Sequence, residues 1–293
     1  MKLLLSVTFA CLSAVAPTGD ADEGIVESRF QLLAGEKDHS PGNILATVAL
    51  SFVDTPYEPN TLEGKEEESL IVHLQSFDCT TFVETCLAMT LAFQSSPADF
   101  NGYCRYLQKI RYRKGIINGY ASRLHYASDW IYENDAAGLI RNLTRAIGGK
   151  VMPLHVDFMS THAAAYQHLE KHREDIAAIR ECESVINARS HYCIPVRDIS
   201  RCGRRIRTGD IVFFASSIPG LDISHVGIVY RCGGRLTFVH ASSKFRKVVV
   251  QPGTLSGYCE NSETCTGIVV CRMGGGERKR RIAGKTATIQ TQT

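Results

Sequence analysis

Cys79 stands in the run Phe77-Asp78-Cys79-Thr80-Thr81-Phe82-Val83-Glu84, and two histidines stand far downstream, in Ser224-His225-Val226-Gly227 and Val239-His240-Ala241-Ser242. A thiol, an imidazole to take its proton and a second polar group to orient that imidazole are what a nucleophilic cysteine enzyme requires. Asp78 occupies the place of an N-cap, and Phe82, Val83, Cys86, Met89 and Phe93 recur at helical spacing. Cys79 thus falls on the first turn of a buried helix. Unpaired N–H groups and the positive dipole end favour a thiolate there and can hold an oxyanion. A blander reading stands beside this one, because most cysteines are small buried hydrophobes, and Cys86 is expected to be one.

The elements that must position these groups follow a two-part order. Ser69–Gln75 reads as a short strand leading into the Cys79 helix, with Leu70, Ile71, Val72 and Leu74 as its apolar residues. Upstream, Asp22 to Gly35 and a segment opened by Ser40-Pro41 read as two helices, joined to the strand by an irregular connection from Thr55 to Lys65. Downstream, Asp99 to Arg111 reads as a helix, and Ala163 to Asn187 as one long polar helix whose His168 and His172 lie on a solvated face. From Tyr192 onward, turn signals separate strand-like runs. These are Ile194-Pro195-Val196, Ile211–Ala215, Ile223–Tyr230, Leu236–Ser243, Lys247–Gln251 and Gly267–Arg272. Gly233-Gly234 marks a hairpin that brings His225 and His240 to one edge of an antiparallel sheet. The expected class is α+β, helices first and sheet second.

Between the two parts, Tyr120-Ala121-Ser122-Arg123-Leu124-His125-Tyr126-Ala127-Ser128-Asp129-Trp130-Ile131 concentrates aromatic and charged side chains. Two readings fit. In a ligand cleft, Arg123 clamps a carboxylate and the rings stack on a sugar; in an amphipathic helix, Tyr126 and Trp130 bury their bodies and keep their polar ends wet.

With 293 residues, 44% of them apolar and 22% charged, the chain suits one large domain with extensions. The net charge of +3 is uneven, because Arg278, Lys279, Arg280, Arg281 and Lys285 crowd the tail. The body is not a basic nucleic-acid binder. Lys2, the apolar run after it and Ala14-Val15-Ala16 have the layout of a secretory signal, with processing expected near Ala21. That run is too short for a membrane span. Lipid attachment at Cys11 is the weaker alternative, since Thr8-Phe9-Ala10 makes a poor lipobox. Eleven cysteines include no Cys-x-x-Cys, so neither a disulfide scaffold nor a cysteine zinc site is expected. Cys259 with Cys265, or Cys193 with Cys202, can close a small loop, and neither pairing follows from spacing.

Asp-Cys at a helix start, His-Val-Gly-Ile on one strand and His-Ala on the next resemble the NlpC-type cysteine peptidases of bacterial cell-wall metabolism. The longer runs Phe77–Glu84, Ser122–Tyr126 with Ser128–Trp130, Gly220–Gly227 and His240–Ser243 resemble one branch, the N-acetylmuramoyl-L-alanine amidase-like family. The likeness spans about residues 23 to 272. It implies a papain-like α+β fold with Cys79 as nucleophile, His225 as base and His240 as the orienting third member. Arg123, Tyr126, Asp129 and Trp130 become candidates for gripping sugar or peptide, with Asp222 and Ser224 lining the approach to His225. The implied substrates are soluble peptidoglycan fragments (muropeptides), cut at the amide between the lactyl group of N-acetylmuramic acid and L-alanine in an exported, periplasmic enzyme. Neither metal nor cofactor is required. Thr80-Thr81 departs from the Ser-Gly frequent after the NlpC cysteine, and the Arg123 region has no counterpart in a minimal domain, which favours a branch-specific pocket. The implied organisation is a signal peptide over 1–21, a helical segment over 22–72, a catalytic domain over 73–273 with a helical insertion at 97–190, and a disordered basic tail over 274–293. Rival readings are an endopeptidase cutting γ-D-glutamyl-diamino acid bonds and a non-catalytic wall-binding protein of the same fold.

Overall fold

The computed structural model describes residues 20–36, 38–63 and 67–274; all but the last two residues of the expected signal segment, Cys11, and all but the first residue of the basic tail lie outside them. Helices come first. Asp20–Leu32 (α1) and Pro41–Ser51 (α2) precede Cys79–Phe93 (α3), Phe100–Arg111 (α4) and Ala127–Ala136 (α5). Ser40 caps α2 and Pro41 sits at its start, as expected. Two short strands follow, Ile140–Asn142 (β1) and Lys150–Met152 (β2), then the helical turns Phe158–Thr161 (α6) and Gln167–Lys171 (α7) and the longer Asp175–Asn187 (α8). The sheet half comprises His191–Pro195 (β3), the turn Ile199–Cys202 (α9), Asp210–Ser216 (β4), Ile223–Cys232 (β5), Arg235–Ser242 (β6), Lys247–Val250 (β7), Leu255–Glu260 (α10) and Cys265–Met273 (β8).

The strands form one antiparallel sheet in the order β2-β3-β8-β4-β5-β6-β7, with β1 added beside β8. The fold is α+β. Alternation along the strands divides the core in two. Phe213, Val226, Ile228, Val239 and Ala241 face α1–α5, with Phe82, Leu87 and Leu45 among the helical residues packed there. Val212, Phe214, Val229, Phe238 and Val270 face the other way, against Leu255 and Cys259 of α10. The helices α1 and α2 therefore share one core with the sheet. Among the described residues no helix is long and apolar enough to cross a membrane.

Two expected elements take another form. Ser69–Gln75 is extended but pairs with no strand. Side chains satisfy its backbone instead: Leu74 N–H donates to Asp22 Oδ1 (3.0 Å), Arg111 Nη1 to the Ile71 carbonyl (2.6 Å) and Tyr112 Oη to the Ser69 carbonyl (2.9 Å). An apolar run with its hydrogen bonds met this way needs no ladder. The long helix expected over 163–187 is broken between Lys171 and Asp175. His168 lies flat on Tyr120, with centroids 4.1 Å apart, and its Nε2 bonds to Asp175 Oδ2 (2.6 Å). That packing turns the chain and takes His168 off the solvated face expected for it. The strands β1 and β2 and the helices α6, α9 and α10, too short to show periodicity, are elements without a sequence signal.

The hairpin forms as expected, with Gly233 (φ +56°) and Gly234 (φ +81°) in the left-handed conformation of a two-residue turn. Its register pairs Ile228 with Val239 and so sets Gly227 opposite His240. A side chain on Gly227 would meet the Phe238 ring at 2.7 Å and the Val239 carbonyl at 2.9 Å. Glycine is required there by close approach. It leaves His225, two residues back on the same face, diagonally adjacent to His240.

Candidate active site

Asp78 caps α3 in a reciprocal box: its Oδ1 accepts the Thr81 N–H (2.7 Å) and its own N–H donates to Thr81 Oγ1 (3.0 Å). The Phe82 N–H goes to the Asp78 carbonyl (3.1 Å). The amides of Cys79 and Thr80, first in the helix, therefore keep no oxygen partner among the described residues. From Thr81 to Phe93 every residue of α3 is buried, so the helix is held on all sides and presents Cys79 from a rigid mount. Cys86 is fully buried core, as expected.

Cys79 opens into a cavity of about 220 Å³ that it shares with Thr80, Trp130, Asp222, Ser224 and His225. The β4–β5 ladder carries a bulge beside this point. Phe214 pairs with His225 and Ala215 with Ile223, leaving Ser224 as the extra residue. A bulge bends and twists its strand locally, and here it sets the aim of His225 at the strand end. The Thr80 side chain, the Val226 N–H and the Cys79 amide act on the Cys79 sulfur in favour of its thiolate, against the larger effect of burial. His225 Nε2 meets His240 Nδ1 at 2.7 Å, and His240 Nε2 meets Gln251 Oε1 at 3.2 Å. Phe214, Phe238 and Tyr258 surround the histidine pair, the Tyr258 ring 6.0 Å from His225 and 6.1 Å from His240. No hydrogen bond joins Cys79 to His225 among the described residues, and resting enzymes often close that contact only on substrate.

Electrostatics revise one expectation. Burial, reinforced by the Asp78 carboxylate, pushes the Cys79 thiol up to about 12, outweighing the helix end that favours a thiolate. Burial lowers His225 to about 3, with His240 adding to the effect, and lowers His240 to about 4. The thiol and the imidazole are thus both neutral. Alkylation of Cys79, followed by peptide mass spectrometry, accordingly rises about tenfold per pH unit from pH 7 to 9. A plateau reached below pH 7 would instead reveal a preformed thiolate.

The other sequence candidates divide. Trp130, Asp222 and Ser224 line the cavity with Cys79 and His225. Trp130 Nε1 donates to Glu84 Oε1 (3.2 Å), which is also tied through Oε2 to Arg111 (2.7 Å). Asp222 accepts the Ser128 N–H (2.6 Å) at the start of α5 and the Ile223 N–H (2.7 Å), so it welds α5 to the strand bearing His225. Arg123, Tyr126 and Asp129 are buried outside this lining and bonded internally. Arg123 pairs with Glu63 (2.9 Å), Tyr126 Oη donates to Glu183 (2.8 Å), and Asp129 is held by Arg113 (2.6 Å) and Arg189 (2.7 Å). They shape the wall rather than face the cavity. Thr80, His125 and Gln251 belong to the site without having been singled out. His125 lines the cavity with Nε2 on the Tyr120 carbonyl (2.9 Å), and burial next to Arg123 keeps it neutral. A second hollow of about 110 Å³ shares the Asp222–Ile223 wall and is bordered by Tyr132, Asp135, Arg189 and His191. In the two cysteine pairs considered, all four cysteines are free, and Cys265 Sγ donates to the Gly267 carbonyl (3.4 Å).

The model of the AmiA-like family, described as N-acetylmuramoyl-L-alanine amidase-like, matches residues 47–268 and so takes in Cys79, His225, His240 and Gln251. The chain belongs to this family. A crystal structure of an N-acetylmuramoyl-L-alanine amidase from Bacteroides uniformis is similar over 80% of this chain and 99% of that one, at 34% identity and a TM-score of 0.77. A Bacteroides fragilis protein provisionally assigned as a xylanase is 39% identical over 78% of this chain and 99% of its own, with a TM-score of 0.74. A Legionella pneumophila protein, 21% identical over 86% of this chain and 95% of its own, shares the fold at a TM-score of 0.64. No curated protein matches the chain.

Proposed function

We propose that this family member is a cysteine hydrolase of NlpC-type, papain-like descent. It cleaves the amide between N-acetylmuramic acid and L-alanine in peptidoglycan fragments, through Cys79, His225 and His240. The observation that carries the reading is the 2.7 Å His225–His240 pair at the wall of the cavity into which α3 presents Cys79. As the Cys79 sulfur bonds to the lactyl carbonyl carbon, His225 takes the thiol proton and the carbonyl electrons move onto oxygen. The amides of Cys79 and Thr80, which have no oxygen partner among the described residues, receive that oxyanion. The C–N bond then breaks, and the His225 imidazolium protonates the departing alanine amine. Water, deprotonated by His225, attacks the thioester carbonyl; the C–S bond breaks, the His225 imidazolium returns its proton to the Cys79 sulfur, and the muramic acid carboxylate is freed. The Cys79 cavity takes the lactyl group and L-alanine, with Trp130 as an apolar wall, and the second hollow extends the path for the stem peptide. Export to a bacterial periplasm accords with such a substrate and with the Lys2-led apolar N-terminus.

Glycoside hydrolysis, the reading suggested by the xylanase assignment of one similar protein, needs two available carboxyl groups across the cavity. Glu84 and Asp222 are the carboxylates at its wall, and the oxygens of both are already engaged by Arg111, Trp130, Ser128 and Ile223. Incubation with soluble muropeptides, read by mass spectrometry, tests the proposal. Free sugar plus intact stem peptide is expected; a shortened stem peptide would indicate the endopeptidase, a cut glycan the glycosidase, and no change a binding protein.

A further inference from the structure

His225 can act as a base only if its bare nitrogen is the one turned away from His240, and something must fix that choice. A neutral imidazole carries one N–H, on either nitrogen. Burial keeps both rings neutral, so each hydrogen bond in the row His225–His240–Gln251 dictates the next. Gln251 Oε1 only accepts, which puts the His240 proton on Nε2 (3.2 Å). His240 Nδ1 is then a lone pair and must accept from His225 Nε2 (2.7 Å). His225 Nδ1 is left without a proton. Reverse the Gln251 amide and the whole row reverses, leaving His225 protonated on Nδ1 and unable to accept from a thiol.

The amide at the end of the row is therefore decisive, and its backbone is anchored on both sides. Gln251 follows directly on β7; its N–H donates to the Phe238 carbonyl (2.8 Å), and its carbonyl accepts from Thr237 Oγ1 (2.7 Å). Both anchors belong to β6, the strand that carries His240. The remaining neighbours of the two rings, Phe214, Phe238 and Tyr258, are aromatic, and burial holds the Tyr258 hydroxyl up at about 12 and so un-ionised. Among the described residues no charged side chain acts on either ring to compete in setting the tautomer.

We propose that Gln251 is a positioning residue that selects the tautomer of His225 through His240. The inference rests on His225 being the base, but its test does not need turnover. In full-length protein labelled with 15N-histidine, long-range proton–nitrogen correlation at pH 7.5 is expected to show His225 and His240 each with a protonated Nε2 and a bare Nδ1. Gln251→Leu removes the acceptor, and both rings shift toward averaged tautomers. Gln251→Glu, which still accepts, keeps the wild-type pattern. With substrate, Gln251→Leu lowers kcat about three- to tenfold at unchanged KM, the scale of one lost neutral hydrogen bond. Gln251→Glu restores it. A wild-type His225 protonated on Nδ1, or a Gln251→Leu spectrum identical to wild type, would overturn the proposal. The wild-type spectrum decides even if the leucine variant does not fold. An intact tautomer row in a chain that cuts no muropeptide would leave this inference standing and remove the proposed function alone.

Discussion

Cys79→Ala is expected to lower kcat by about 10⁴-fold or more while leaving the chain folded. Removing a nucleophile eliminates the covalent path, and groups acting as one unit lose nearly everything together. The structure separates this loss from any loss of stability. Cys79 is partly open to the cavity, whereas α3 is held by the Asp78–Thr81 box and by buried residues from Thr81 onward. Truncation to alanine leaves both in place, so the change in unfolding free energy stays within about 1 kcal/mol. Cys79→Ser sharpens the result. The serine hydroxyl takes the place of the thiol but is a far weaker acid, and with His225 lowered to about 3 the base cannot make up the difference. Both variants are compared by single-turnover assay on muropeptides and by thermal melting. Activity above a hundredth of wild type in Cys79→Ala would end the cysteine mechanism; a large drop in melting temperature would show a structural role for the thiol.

What sequence conveyed and what it withheld follow from the range of the signals. The Asp78 cap, the apolar spacing of α3 and the Gly233-Gly234 turn are local, and each set its candidate residue at the helix start or strand edge where the structure has it, because short-range chemistry decides it. The diagonal contact of His225 with His240 was reachable through the turn, since hairpin register follows from the turn itself. The fates of Arg123, Tyr126 and Asp129 were not reachable. Their partners Glu63, Glu183, Arg113 and Arg189 come from four other segments, and an arginine or tyrosine bonded internally has the same sequence signature as one waiting for a ligand. Gln251 is silent for a similar reason: a glutamine after a strand becomes meaningful only once β7 is seen to lie beside His240. The expected thiolate failed because the helix-end effect is local and legible, while burial, which outweighs it, is a property of the completed fold.

The largest stability effect is expected below Cys79 on the same helix, at Glu84. Glu84 is 2% exposed, and its carboxylate bonds to Arg111 Nε (2.7 Å) and receives Trp130 Nε1 (3.2 Å), while Arg111 is also buried and reaches the Ile71 carbonyl (2.6 Å). The group thus ties α3, α4, α5 and the extended segment before Cys79 together. Burial holds the Glu84 carboxyl above the usual range even with Arg111 beside it, so taking the charge out of water costs more than the attraction returns. Such a pair contributes little by existing and a great deal by not being broken. Glu84→Ala leaves a guanidinium, which cannot deprotonate, buried without its partner, and is expected to destabilise the fold by about 3–5 kcal/mol in urea unfolding. Glu84→Gln, which still accepts from both donors, loses less. Replacing both members, Glu84→Leu with Arg111→Met, removes the charges together and recovers most of the loss. A Glu84→Ala variant within about 1 kcal/mol of wild type would mean that water reaches Arg111, and the floor beneath Cys79 would then be softer than its packing implies.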